Sequence, residues 1–177
     1  GGLTERLINF ARGIVGSAPG GLATVTIVAC TFFAAISGSG PATTAAIGSI
    51  MIPAMLRDGY GRDFSAAISA SAGGIGVVIP PSIPMIIYGI TAGTSISGLF
   101  LAGVIPGLML AVALWMVSVV ISKRNGWVSN SNMSRSARGI GAAAWDAKWA
   151  LFAPVIILGG IYGGVFTVTE ASVVAVL

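Results

Sequence analysis

Hydroxyl side chains and helix-breaking residues coincide at two places in this chain. One is Ser37-Gly38-Ser39-Gly40-Pro41-Ala42-Thr43, and the other is Ile79-Pro80-Pro81-Ser82. Gly and Pro interrupt helical hydrogen bonding and free backbone carbonyls, while Ser37, Ser39, Thr43 and Ser82 add hydroxyl oxygens. Neutral hard oxygens of this kind suit Na+, which they bind weakly enough to release. Half-helix N-termini facing the same spot would attract an anion as well. The bland reading is that Gly and Ser only permit close helix packing. It competes best at Gly73, Gly74 and Gly76 and least at the Ser37 to Thr43 cluster, because close packing does not explain two flanking arms too short to span a bilayer.

Enzymatic chemistry finds little support. The chain has no His, and no Asp, Glu or Lys falls within its long apolar stretches, so a general base or metal cluster at that depth is missing. A nucleophilic Ser39 would lack a partner, and no phosphate-binding loop ending in Gly-Lys-Ser/Thr occurs. Carboxylate proton relays are absent too, which puts Na+ ahead of H+ as a coupling ion. No other cofactor is expected.

The elements that must position these residues follow from the distribution of charge. Hydrophobic residues make up 55% and charged residues 8%, against about 25% charged in a soluble domain. No charge falls in 13–56, 64–122 or 149–169, stretches of 44, 59 and 21 residues, and about 20 apolar residues cross a bilayer as a helix. The runs are continuous instead of alternating, which favours helices over a barrel. An all-α, polytopic membrane protein is therefore expected. Its nine basic residues, among them Arg6, Arg57, Lys123 and Arg138, separate the apolar blocks and read as loops on one face, the cytoplasmic one. They are not interleaved with aromatics as a nucleic-acid surface would be. Cys30 is the single cysteine and reads as a small buried filler. Without an initiating Met, and with a helical composition up to Leu177, the chain reads as an internal piece of a longer protein.

Along the chain, residues 1–16 form an amphipathic arm, with Leu3, Leu7, Ile8, Phe10, Ala11 and Ile14 opposite Glu5, Arg6, Asn9 and Arg12. Residues 17–56 form a hairpin with its tip at 37–43. Its arms, Leu22 to Ile36 and Thr44 to Leu56, hold 15 and 13 residues. Even the longer reaches only about 22 Å, short of a core of roughly 30 Å, so the hairpin should be re-entrant. A membrane helix over 64–90 should be discontinuous, broken at Gly73-Gly74-Ile75-Gly76 and again at Pro80-Pro81. After a turn near Thr91 to Gly98 come a span over 99–122, a cytoplasmic loop and interfacial arm over 123–148, and a span over 149–170.

The strings Ser37 to Thr43, Ile47-Gly48-Ser49-Ile50-Met51-Ile52-Pro53-Ala54-Met55, Ile79-Pro80-Pro81-Ser82-Ile83-Pro84-Met85, Leu99 to Gly107 and Pro154 to Ala171 occur in order over nearly the whole chain. Together they resemble the large membrane subunit of tripartite ATP-independent periplasmic (TRAP) transporters. Val168 stands where many members carry Pro. The resemblance implies one half of an inverted-repeat, elevator-type transporter, with the second repeat absent. It also implies Na+-coupled import of an anionic solute, often a carboxylate, across the bacterial inner membrane. The expected partners are a small membrane subunit, a periplasmic solute-binding protein and the lipid bilayer, with no nucleic acid. Carried over by that resemblance, Ser37, Gly38, Ser39, Ile79 and Pro80 would hold Na+, and Pro41, Thr43 and Ser82 would meet the solute. The alternative is a non-transporting scaffold or assembly subunit.

Overall fold

The computed structural model describes residues 3–15, 20–127, 145, 148–165, 167 and 170. Most of the expected 123–148 loop and arm, including Arg135 and Arg138, lies outside them, as do Val168 and Thr169. Among the described residues there are eight helices and no strand: α1 (Leu3–Val15), α2 (Gly21–Ser37), α3 (Gly40–Arg57), α4 (Arg62–Gly73), α5 (Ile75–Val78), α6 (Ile83–Ala92), α7 (Ile96–Arg124) and α8 (Lys148–Tyr162).

Local chemistry sets the breaks. Helix α2 ends because Gly38 turns left-handed at φ 62°, where its N–H reaches Ala34 O at 2.9 Å. Ser39 is extended and caps α3, and Pro41 occupies the first turn, where a missing N–H costs nothing. Two residues thus separate the hairpin arms. Helix α5 stops because Ile79 precedes a proline and goes extended at ψ 126°. Ser82 then caps α6, with Pro84 in its first turn. Within α4, Ser65 and Ser69 are buried, and each donates to the carbonyl four residues back, Gly61 at 2.9 Å and Ser69's partner Ser65 at 2.8 Å.

The main core joins α1 to α5 through Ile8, Val25, Ile47, Met51 and Ile75. Phe10 meets Phe32 edge-on at 5.5 Å, so α1 is packed along α2. On α1, Leu7 and Ala11 are fully buried, but Ile14 is exposed. A second cluster sets Phe100 of α7 against Ile157 and Ile161 of α8. Within the 149–170 segment the helix ends at Tyr162, where Gly164 turns left-handed at φ 68° and Val165 N returns to Gly160 O.

One end of the bundle is marked by Gly20, whose missing Cβ position lies 2.8 Å from Ser122 Oγ, and by Trp127 stacked near Tyr60 and Phe64 at 5.2 and 5.1 Å. Burial raises the Tyr60 phenol above its usual pKa, and the facing N–H groups of Leu22 and Ala23 lower it in part. Its buried oxygen makes no hydrogen bond of good geometry with a described residue. From this base, α7 runs 29 residues, about 43 Å. The break after α5 meets it part-way, where Val78 and Ile79 sit on Gly103 and Gly107. Two stretches, Arg62–Ala92 and Ile96–Arg124, are long and apolar enough to cross a membrane.

The shared base carries exposed Arg57, Arg62 and Lys123, which motivates a topological prediction. Single cysteines at these three positions, in a Cys30→Ala background of the full permease, should all react with an impermeant maleimide from the same side. Reaction of one from the opposite side would contradict it.

Candidate ion and solute site

The tip of the hairpin and the break after α5 are joined directly. Ile83 N donates to Gly38 O at 3.0 Å, a bond between two segments 45 residues apart. Gly38 is tight against the break: a Cβ there would lie 2.7 Å from Pro81 O. Gly76 faces the tip from the next turn, where a Cβ would lie 3.0 Å from both Ser39 O and Thr43 Oγ1. One irregular segment is therefore seated on the other, with glycine backbone at each contact.

Three oxygens form a network at the tip. Ser37 Oγ and Thr43 Oγ1 are 2.8 Å apart, Thr43 Oγ1 donates to Ser39 O at 2.8 Å, and Ser37 Oγ lies 3.3 Å from the same carbonyl. Thr43 is fully buried, while Ser37 and Ser39 are half-buried. Across the break, prolines at 80 and 81 deprive the Gly76 and Val77 carbonyls of their helical donors. Ser82 Oγ takes over at Val77, donating at 2.6 Å. No described backbone N–H reaches the carbonyls of Ile79, Pro80 or Pro81, and Pro80 and Ser82 are buried.

The structure thus seats Gly38 of the tip against Pro81 and Ile83 of the break, and Ser39 and Thr43 against Gly76; Ile79 and Pro80 lie in the same break, where Ser82 bonds to Val77. Pro41, in the first turn of α3, is exposed. Ser39 Oγ accepts from Ala42 N at 3.4 Å and so serves as a helix cap. A hydroxyl that donates keeps lone pairs for a cation. None of these side chains titrates, so the site is neutral and its donors are hard oxygens, a set that fits Na+ and would replace part of its hydration shell. The close packing expected of Gly73 and Gly76 is what lets the two segments close, and residue reasoning missed their partner Thr44 and the packing role of Gly40. Gly40 would put a Cβ 3.0 Å from Val77 Cγ2, and a Cβ on Gly73 would overlap the Thr44 side chain. The signal available was the three-residue spacing of Gly73 and Gly76, which places them on one helical face.

A neutral, oxygen-lined junction of broken helices within an apolar helical chain defines the class of membrane permeases and not of enzymes. The whole chain, residues 1–177, matches the family described as tripartite ATP-independent periplasmic transporter, DctM component, and belongs to it. It is 54% identical to the isethionate TRAP transporter permease protein DctMQ of Oleidesulfovibrio alaskensis, covering 99% of this chain and 27% of the relative. It is 47% identical to the C4-dicarboxylate TRAP transporter large permease protein DctM of Pseudomonas aeruginosa, covering 99% and 40%. With the sialic acid TRAP transporter large permease protein SiaM of Vibrio cholerae the figures are 42%, 99% and 41%. The chain spans less than half the length of these relatives.

Proposed function

We propose that this chain forms part of the large subunit of a Na+-coupled importer of an anionic organic solute in the bacterial inner membrane. Ser37, Gly38, Ser39, Ile79 and Pro80 contribute the ion site, and Thr43 and Ser82 line the solute's approach. The observation that supports the reading is the Ile83–Gly38 bond, which ties the hairpin tip, with its hydroxyls, to the segment that carries the unpaired carbonyls of the break. Irregular backbone at membrane depth is costly unless protein buries it or it lines a polar cavity. The seating of the break part-way along α7, with the tip seated on the break, supports a re-entrant hairpin, and with it one repeat of an elevator whose other repeat lies elsewhere in the full protein.

The solute is assigned by charge. The names of the relatives specify isethionate, C4-dicarboxylates, sialic acid and, in two further cases, ectoine, a zwitterion, and what these share is an ionised acid group. A carboxylate is the commoner form of it. A periplasmic binding protein delivers the solute, and a small membrane subunit completes the permease.

The test is initial uptake against Na+ concentration in proteoliposomes holding the full permease, its small subunit and the binding protein. Ser39→Ala removes one oxygen and leaves the carbonyls, so the Na+ half-saturation should rise several-fold at matched protein content. The Ser39–Ala42 cap favours a second reading, in which Ser39 is structural only. In that case the substitution costs about 1 kcal/mol of stability and leaves the Na+ half-saturation unchanged. A scaffold subunit would show no accumulation under any gradient.

A further inference from the structure

Helix α2 begins without a cap of its own. Its N-cap position is Gly20, left-handed at φ 70° and without a side chain. A Cβ there would lie 2.8 Å from Ser122 Oγ and 3.0 Å from Ser122 Cβ, so the Ser, Thr, Asp or Asn that ordinarily caps a helix is shut out by α7. The first N–H groups of a helix have no intrahelical acceptor. Here Leu22 and Ala23, which carry two of them, are 7% and 0% exposed, so water does not serve them either.

The loop between α3 and α4 brings an oxygen to this place. Of residues 57–63 only Tyr60 is buried, and the other six are exposed. Gly59, left-handed at φ 84°, and the bond from Tyr60 N to Met55 O at 3.0 Å fold the loop back on α3. The ring is held against Phe64 and Trp127, and Trp127 N is bonded to Ser122 O at 2.9 Å. The phenol oxygen faces the N–H groups of Leu22 and Ala23 and the hydroxyl of Ser122. Neither hydroxyl makes a hydrogen bond of good geometry elsewhere among the described residues. Burial keeps the phenol protonated, so it can accept from the amides while donating to Ser122.

We propose that the Tyr60 hydroxyl is the N-cap of α2, supplied by the α3–α4 loop, and that it is a positioning residue which pins this end of the hairpin to α7. The other end of α2 is held at the tip by the Ile83–Gly38 bond. Between the two lie 17 helical residues, a rod about 25 Å long on which a tilt of about 2° moves the far end by about 1 Å. Ser37 ends that rod, with Gly38 and Ser39 directly after it. The base therefore sets how the tip oxygens meet the break. The cap stands on the geometry of the base, while its consequence for uptake rests on the ion site proposed above.

The experiment uses the full permease with its small subunit. Tyr60→Phe keeps the ring against Phe64 and Trp127 and removes only the oxygen. Hydrogen exchange read by mass spectrometry should quicken about fivefold in the first turn of α2, as loss of a cap does. It should quicken by a smaller factor in the tip over Gly38 to Thr43, with the core of α4 unchanged. Ser122→Ala leaves the phenol oxygen to the amides and should change either segment by less than about twofold. Uptake by Tyr60→Phe should need several-fold more Na+ for half-saturation at matched protein content, with its maximal rate kept. Unchanged exchange in the first turn of α2 overturns the cap, and so does an equal effect of Ser122→Ala. A faster first turn over an unchanged tip overturns the positioning role, as does an unchanged Na+ half-saturation in a permease whose wild type depends on Na+. If wild-type uptake ignores Na+, the ion reading fails and exchange at the tip decides the positioning role. Where Tyr60→Phe is not recovered folded, a high-resolution experimental structure of the wild type decides. Tyr60 Oη is expected within about 3.2 Å of one of the two amides, and any other oxygen in that place overturns the cap.

Discussion

Gly38→Ala should reduce solute uptake by the full permease by one to two orders of magnitude, while Gly93→Ala should leave most of it. Both glycines are left-handed, at φ 62° and 63°, so an added methyl group carries the same backbone cost of about 1–2 kcal/mol at each. Their surroundings differ. Nothing lies within 4 Å of a Cβ at Gly93, whereas at Gly38 it would press on Pro81 O, a backbone atom that cannot rotate away. Relief requires the tip to retreat from the break, and that strains the Ile83–Gly38 hydrogen bond, worth about 1 kcal/mol. The difference between the two variants therefore isolates contact across the junction from backbone strain. Initial uptake rates in proteoliposomes, at equal amounts of inserted protein, provide the comparison. Equal losses in both variants would mean that the junction has no part in transport.

The second large effect is expected in α4. Gly73→Ala should lower the thermal unfolding midpoint of the purified permease, by an amount set by an overpacking cost of about 1–3 kcal/mol. Its Cβ would coincide with the Thr44 side chain and approach the Thr44 Cα at 3.0 Å, so α3 and α4 must separate. Gly48, in the facing helix, supplies the contrast, because its Cβ would meet only Ile52 Cδ1 and Ser69 Cβ at 3.5 and 3.7 Å. Gly48→Ala should be neutral or stabilising by up to about 1 kcal/mol, since glycine inside a helix is the costlier residue. Adding Thr44→Gly to Gly73→Ala removes the overlapping atoms and should recover part of the loss. If Gly73→Ala lowered the midpoint as much in a Thr44→Gly background as in the wild type, close packing at this pair would not be the cause.

Much of the architecture is legible in one dimension because its causes are local. Three uncharged blocks separated by basic residues mark the apolar helices, and a bilayer-length argument needs only residue counts. The breaks at Gly38-Ser39 and Ile79 to Ser82 follow from the left-handed freedom of glycine and from prolines that lack an N–H. The helix caps at Ser39 and Ser82 are legible for the same reason. Tertiary structure alone decided what these breaks face. Nothing local to Gly38 says that its carbonyl accepts from Ile83, or that Gly76 rests against Ser39 and Thr43. Such pairings are sums of many weak contacts between residues far apart in the chain, and they depend on how α3, α4 and α7 stack. The same holds for the exposure of Pro41 at the tip and for the seating of the amphipathic α1 on α2 through Phe10 and Phe32. Chain-local chemistry determined where the helices stop, and packing between distant helices decided which of those stops meet to make a site.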